Sequence, residues 1–250
     1  MFKVDKDVEN HFIKRLEQLG RPIVLLSEEI GRKEINPDAA GERMYCPSDP
    51  FDGSYLFKRG IPDFWYSALA FYNADFTPAC CVVGDGVHRT VCFANETGAY
   101  TAKMSQTNLA DKFKLDADYR KLMGRVAPQV PDGASIESYA MKPQKFLMPL
   151  VDKYRKLLAP FKFFLPNGGP YAFADVAEGK IDCYFAPRQP FVDIFPGTYI
   201  ARQAGCVVTN FDGSEVVCSD NVKSLHDVVA SANPALHEKV LKLIAECQRE

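Results

Sequence analysis

A chain of 250 residues and 27.9 kDa is long enough to bury a full hydrophobic core, which excludes a small scaffold held together by disulfides. Hydrophobic residues at 47% and charged residues at 25% are globular values that exclude a disordered chain, and 30 basic against 32 acidic side chains, a net charge of -2, give no reason to expect a polyanion. Nucleic acid is therefore not an expected partner; nor is a membrane, because no stretch reaches the roughly 18 uncharged apolar residues of a span and MFKVDKDVEN lacks the apolar region of a signal peptide.

Residues 4 to 19 place Val4, Val8, Phe12, Ile13, Leu16 and Leu19 at helical spacing, with Gly20 set to end the run. RPIVLLSEE reads as a short aliphatic strand ending in two carboxylates, and GRKEINPDAAGER as polar loop. Tyr66 to Tyr72 and ACCVVGD read as neighbouring antiparallel strands, with TVCFANETGAY as a third. The stretch 101–142 is polar and broken by Pro128, Pro131 and Gly133, which predicts an excursion over the surface.

The second half begins with an apolar stripe over Gln144 to Leu158 that predicts a helix despite Pro149. KFFLP follows as a strand, Ala172 to Ala177 as a helix, KIDCYFA as a strand, and Ile194 to Ala204 as a helix stopped by Gly205. CVVTNFDG and VVASAN read as further strands, and Asn233-Pro234 opens the final helix with Asn as cap and Pro at its first position. Alternating helices and strands without internal repeats predict α/β layers, and no linker divides the chain, so 1–250 reads as one unit with halves near 1–142 and 143–250.

The eight cysteines form no C-x-x-C pair and stand beside no histidine, so they read as free thiols in a reducing cytoplasm and not as zinc ligands. The four histidines fall in unrelated segments and read as surface or capping residues.

Chemistry concentrates in Asp49-Pro50-Phe51-Asp52-Gly53-Ser54, where two carboxylates three residues apart precede a turn and a hydroxyl. That pattern fits a solvated turn as well as a site. Glu28 and Glu29, at the end of an aliphatic strand, add a second acidic source where α/β proteins hold ligands. Asp193, between apolar residues, is a third, readable also as a helix cap. Clustered oxygen donors suit magnesium, which takes one or two carboxylates plus waters and phosphate.

SDPFDGSYLFKRGIP, DIFPGTYIARQAGCVVTNFDG, LLSEE and VDKDVE, in that relation along the chain and with the closing ANPALH, resemble the inositol monophosphatase superfamily of magnesium-dependent, lithium-sensitive phosphatases, which includes fructose-1,6-bisphosphatases and nucleotide 3'-phosphatases. The resemblance implies an αβαβα layered sandwich of the sugar phosphatase type, a phosphomonoesterase acting on a small phosphorylated sugar or polyol, and a homodimer. It further implies that Glu28, Asp49 and the carbonyl of Phe51 hold one magnesium while Asp49, Asp52 and Asp193 hold another, about two or three ions per site, with manganese as a substitute and lithium as an inhibitor. The amides of Gly53 and Ser54 are expected on phosphate oxygens, and Ser54 with Asp5 is expected to activate water; Asp5 reads equally as a helix cap.

Departures from the family pattern narrow the substrate. The chain starts without the first helix and lysine-bearing loop that relatives carry ahead of the position of Asp5, which leaves a non-catalytic binding subunit as the alternative reading. Ala186 stands where inositol-preferring relatives hold inositol hydroxyls with a glutamate, and Asn167-Gly168-Gly169 replaces their G-T-A, so inositol specificity is not expected. Arg188 reads as a partner for a distal phosphate or as a solvated loop residue, and a bisphosphorylated sugar is the expected substrate, with a nucleotide 3'-phosphate as a further alternative.

Overall fold

The computed structural model describes residues 2–104, 119–123 and 126–249. The amphipathic run at the start forms helix α1 (Lys3–Glu17), which turns Leu16 and, unusually, Asp5 and Glu9 inward against the first sheet. Strand β1 (Ile23–Ser27) is buried at every position, as its unbroken aliphatic sequence requires of a strand covered on both faces. It pairs antiparallel with β2 (Gly31–Ile35) and parallel with β3 (Met44–Asp52). The polar stretch after Glu29, expected to be loop, thus supplies an edge strand; of its five residues only Ile35 is buried, so no alternation marked it, and charge is what an open edge needs.

Helix α2 (Ser54–Lys58) follows β3 directly, and a meander of β4 (Tyr66–Tyr72), β5 (Pro78–Asp85), β6 (Thr90–Asn95), β7 (Gly98–Lys103) and β8 (Arg120–Leu122) completes an eight-stranded sheet in the order β2-β1-β3-β4-β5-β6-β7-β8. TVCFANETGAY is a hairpin of two strands and not one: Asn95 pairs with Gly98, and Asn95 Oδ1 accepts the Thr97 N–H at 2.9 Å to close the turn. Within the expected surface excursion, the described residues include β8 and β9 (Ser135–Glu137), the latter inside the second sheet; residues 105–118 and 124–125 lie outside those described.

A π turn over Pro143–Leu147 leads into α3 (Met148–Leu158), then β10 (Phe163–Leu165), α4 (Pro170–Glu178) and β11 (Cys183–Pro190). The single helix expected over 194–204 is two, α5 (Phe191–Ile194) and α6 (Thr198–Gln203). Pro196 lacks the donor a continuous helix needs, and Gly197 passes so close to α4 that a Cβ there would lie 2.2 Å from the Pro170 carbonyl oxygen. Strands β12 (Val207–Asn210) and β13 (Leu225–Ser231) complete the second sheet, ordered β10-β9-β11-β13-β12, and Asn233 caps α7 (Pro234–Gln248) by accepting the Leu236 N–H at 2.9 Å.

Helices α4, α5 and α6 fill the space between the sheets, while α3 and α7 pack together over the outer face of the second. The layers therefore run αβαβα, as expected, and the middle layer is thoroughly buried: Tyr171, Phe173, Phe191 and Phe195 are each at most 2% exposed. All eight cysteines are free and most are buried. His237, expected near the surface, is instead a core residue, held between the Ser231 hydroxyl at 3.1 Å and the Thr209 hydroxyl at 2.9 Å, with burial lowering its pKa to about 4. Among the described residues no helix is long and apolar enough to cross a membrane.

Candidate active site

The parallel pairing of β1 with β3 sets Ser27 beside Ser48, so Glu28, the first residue past β1, comes out alongside Asp49, which β3 still carries. On a regular strand Asp49 and Asp52 would point to opposite faces. The β3–β4 register slips between them, where Pro50 has no N–H to give the ladder, and both carboxylates then act on one another. Gly53 makes the turn out of the strand at φ +89°, and a Cβ there would meet the Phe64 carbonyl oxygen at 1.8 Å.

Asp193 reaches the same place from the middle layer. Burial, reinforced by Asp52 and Glu28, drives its carboxyl pKa well above the ordinary range. Asp49, only 2% exposed, is raised in the same way by burial and then by Asp52, Glu28 and Asp193. Asp52 is pushed up to about 7 by burial and by Glu28, against the Gly53 amide and Lys142. The Gly53 amide thus lies beside the Asp52 carboxylate and favours its charged form. Glu28 shows an open surface to water, yet desolvation, Glu29 and Asp5 all raise its pKa. Gly169, at the N-terminus of α4, leaves room for Asp52: a Cβ would stand 2.7 Å from its Oδ2.

Beside the carboxylates, Ser54 Oγ donates a hydrogen bond to Asp5 Oδ1 and lies 3.1 Å from the Phe51 carbonyl oxygen. Asp5 Oδ2 accepts the Phe2 N–H at 2.6 Å, so the side chain caps α1 while holding the serine. A further buried pair braces this corner, Ser27 Oγ donating to Glu9 Oε2 at 2.8 Å.

Arg188 does not stand among the carboxylates. It occupies a bulge of β11 at φ +51°, its N–H bonded to Asp227 at 2.8 Å, and lines a cavity of about 410 Å³ with Lys145, Lys153 and Tyr139. Tyr139 joins the two regions: burial and then Asp52, Asp193 and Glu28 push its pKa up to about 12. The sequence reading missed Tyr139 and Lys142. Lys142 is exposed, lies 6.0 Å from the Tyr139 ring centroid, and is a cation whose charge opposes the rise at Glu28, Asp52 and Asp193 alike. Both residues lie in a polar segment whose lysines carry no local pattern.

The donor set suits a hard divalent cation. It is all oxygen, and Asp49 Oδ1 is buried without a hydrogen-bond partner. Among the described residues no three acidic, histidine or cysteine side chains are grouped closely enough to hold an ion unaided. Magnesium ordinarily completes its shell with waters and substrate phosphate, so an open set of carboxylates fits it.

Five alternating layers carry this acidic centre where β1 ends beside β3, and the family match and relatives place the protein among the phosphoric monoester hydrolases. The chain belongs to the inositol monophosphatase family, whose model matches residues 2–249. It is 26% identical over 245 residues to a fructose-1,6-bisphosphatase/inositol-1-monophosphatase of Methanothermobacter thermautotrophicus, covering 96% of this chain and 82% of that one. An inositol-1-monophosphatase of Bacillus subtilis is 25% identical over 240 residues, with 96% and 81% covered. In fold, a Pyrococcus horikoshii protein described as similar to inositol-1 monophosphatase superposes with a TM-score of 0.73 at 24% identity, covering 99% of this chain and 84% of that one.

Proposed function

We propose that the protein is a magnesium-dependent phosphomonoesterase that removes a phosphate from a small bisphosphorylated sugar. The observation that carries this reading is the convergence of Glu28, Asp49, Asp52 and Asp193, whose pKa values are all raised by burial and by acidic neighbours. Like charges held together this way need a cation, and in its absence they hold protons. Glu28, Asp49, the Phe51 carbonyl, Asp52 and Asp193 would hold magnesium, which supplies charge neutralisation at the phosphate and acidifies water.

The chain's own groups do the rest. Asp5 accepts the Ser54 hydroxyl proton, which leaves the Ser54 oxygen lone pairs free to accept a hydrogen bond from an incoming water and aim it at phosphorus. The Ser54 amide, at the first residue of α2, is available to a phosphate oxygen. Lys142 carries positive charge to the rim of the acidic centre and so favours approach of an anionic ester.

The bisphosphate reading is supported by Arg188, Lys145 and Lys153, which line one cavity together with Tyr139. Fully buried Ala186 offers no acceptor for a ring hydroxyl. A panel of fructose 1,6-bisphosphate, inositol 1-phosphate and 3'-phosphoadenosine 5'-phosphate, assayed by released phosphate with magnesium, tests the proposal. Fructose 1,6-bisphosphate should turn over best, and Arg188→Ala should raise its KM without affecting the monophosphate. Inositol 1-phosphate winning the panel, or equal weakening of both substrates, would refute it.

A further inference from the structure

Helix α1 buries two carboxyl groups one helical turn apart, Asp5 and Glu9, on the same face. Each ends on a serine hydroxyl. Asp5 takes that of Ser54, which follows the turn out of β3, and Glu9 takes that of Ser27, the last residue of β1. The two serines thus tie one helix to both segments that carry the acidic centre.

Ser27 works in two directions. Its Oγ donates to Glu9 Oε2 at 2.8 Å and accepts the Glu29 N–H at 3.3 Å, so the hydroxyl joins α1 to the turn over residues 28–30 that carries Glu28 from β1 to β2. Ser27 is itself fixed, buried and paired in register with Gly31 on one side and Ser48 on the other. Glu9 is only 2% exposed, and its Oε1 is buried with no hydrogen-bond partner among the described residues.

A buried carboxyl partnered at one oxygen adds little to stability, because an apolar pair of the same shape would serve nearly as well. What the bond supplies is direction: it fixes where the turn of Glu28 leaves the sheet. Resting on the reading of Glu28 as a magnesium ligand, we propose that Glu9 is a positioning residue for that ligand, acting through Ser27, so that α1 sets the separation between the turn of Glu28 and the turn of Gly53 and Ser54.

Titration calorimetry of the full chain with magnesium tests this. Ser27→Ala and Glu9→Met should each weaken magnesium about 10- to 100-fold, the usual effect of losing a group that orients a ligand. Glu9→Gln keeps an acceptor oxygen for the Ser27 hydroxyl and loses the charge, so it should retain wild-type affinity. In the metal-free chain, amide exchange at Glu29 should quicken in Ser27→Ala. Ser27→Ala removes a single oxygen, so it decides the matter even if Glu9→Met fails to fold. Equal weakening in Glu9→Gln and Glu9→Met would show that Glu9 acts by its charge, and wild-type affinity or unchanged Glu29 exchange in Ser27→Ala would show that the hydroxyl holds nothing; each overturns the proposal. A wild type that binds no magnesium, with Glu29 exchange still quickened in Ser27→Ala, would instead sink the reading of Glu28 as a ligand and take the proposal with it.

Discussion

Ser54, the first residue of α2, donates its hydroxyl to Asp5 on α1, 49 positions earlier in the chain. The bond ties the helix packed on the outer face of the first sheet to the turn that follows the acidic strand. It also fixes which way the serine oxygen presents its lone pairs. Ser54→Ala should lower kcat by about 100- to 10,000-fold with little change in melting temperature or metal affinity. Steady-state kinetics beside a thermal melt make the check, and unchanged phosphate release would show that another group handles the proton.

Asp175 gives a signed pH dependence. Burial first, then Glu178 and Asp85, raise its pKa from 3.8 to about 7 despite Lys180. The folded state therefore keeps the proton longer than the unfolded chain, so the stability contributed by protonation is present below pH 4 and is lost as pH rises through 7. Asp175→Asn cannot ionise, and the melting temperature of the variant relative to wild type should climb between pH 4.5 and pH 8. A difference that stays constant over that range would mean that Asp175 titrates as an exposed carboxylate does.

Gly53 is constrained twice over, by φ +89° and by the 1.8 Å that would separate a Cβ from the Phe64 carbonyl. The left-handed conformation alone costs a side chain about 1 to 2 kcal/mol, and the carbonyl must also shift. Gly53→Ala should destabilise the fold by at least about 2 kcal/mol in urea denaturation, and a loss below about 0.5 kcal/mol would contradict the tight turn.

Lys142 opposes the charge of three carboxylates from an exposed position. Removing it should make the site more attractive to cations and less attractive to anions. Lys142→Met should tighten magnesium a few-fold and raise KM for phosphate esters at low salt, with both effects shrinking as ionic strength rises. Calorimetry and kinetics at two salt concentrations check this, and weaker magnesium binding in the variant would reverse the assignment.

Much of this architecture is legible in the sequence where one physical signal dominates. The aliphatic run 23–27, the helical stripe over 144–158 and the Asn233-Pro234 cap each announce their element, and the acidic segments around Glu28, Asp49 and Asp193 announce the centre. Strand β2 escapes notice because its exposed face is charged and it has one buried residue. The break in 194–204 depends on how closely Gly197 must approach Pro170, a tertiary fact. Tyr139 and Lys142 gain meaning only when the fold carries a polar segment back to Asp52, and the strain-prone bulge at Arg188 depends on the pairing of β11 with β13.

The central claim, that the acidic centre works as a metal-dependent phosphatase, is tested most directly by phosphate release from fructose 1,6-bisphosphate, measured with magnesium and with chelator for the wild type and for Asp49→Asn. Asp49 is buried, faces Asp52, Glu28 and Asp193, and has one oxygen without a hydrogen bond, so it is the ligand whose charge the site can least spare. The account predicts magnesium-dependent release by the wild type, abolished by chelator and absent in a folded Asp49→Asn protein. Release that persists in chelator, or that survives Asp49→Asn, would contradict it.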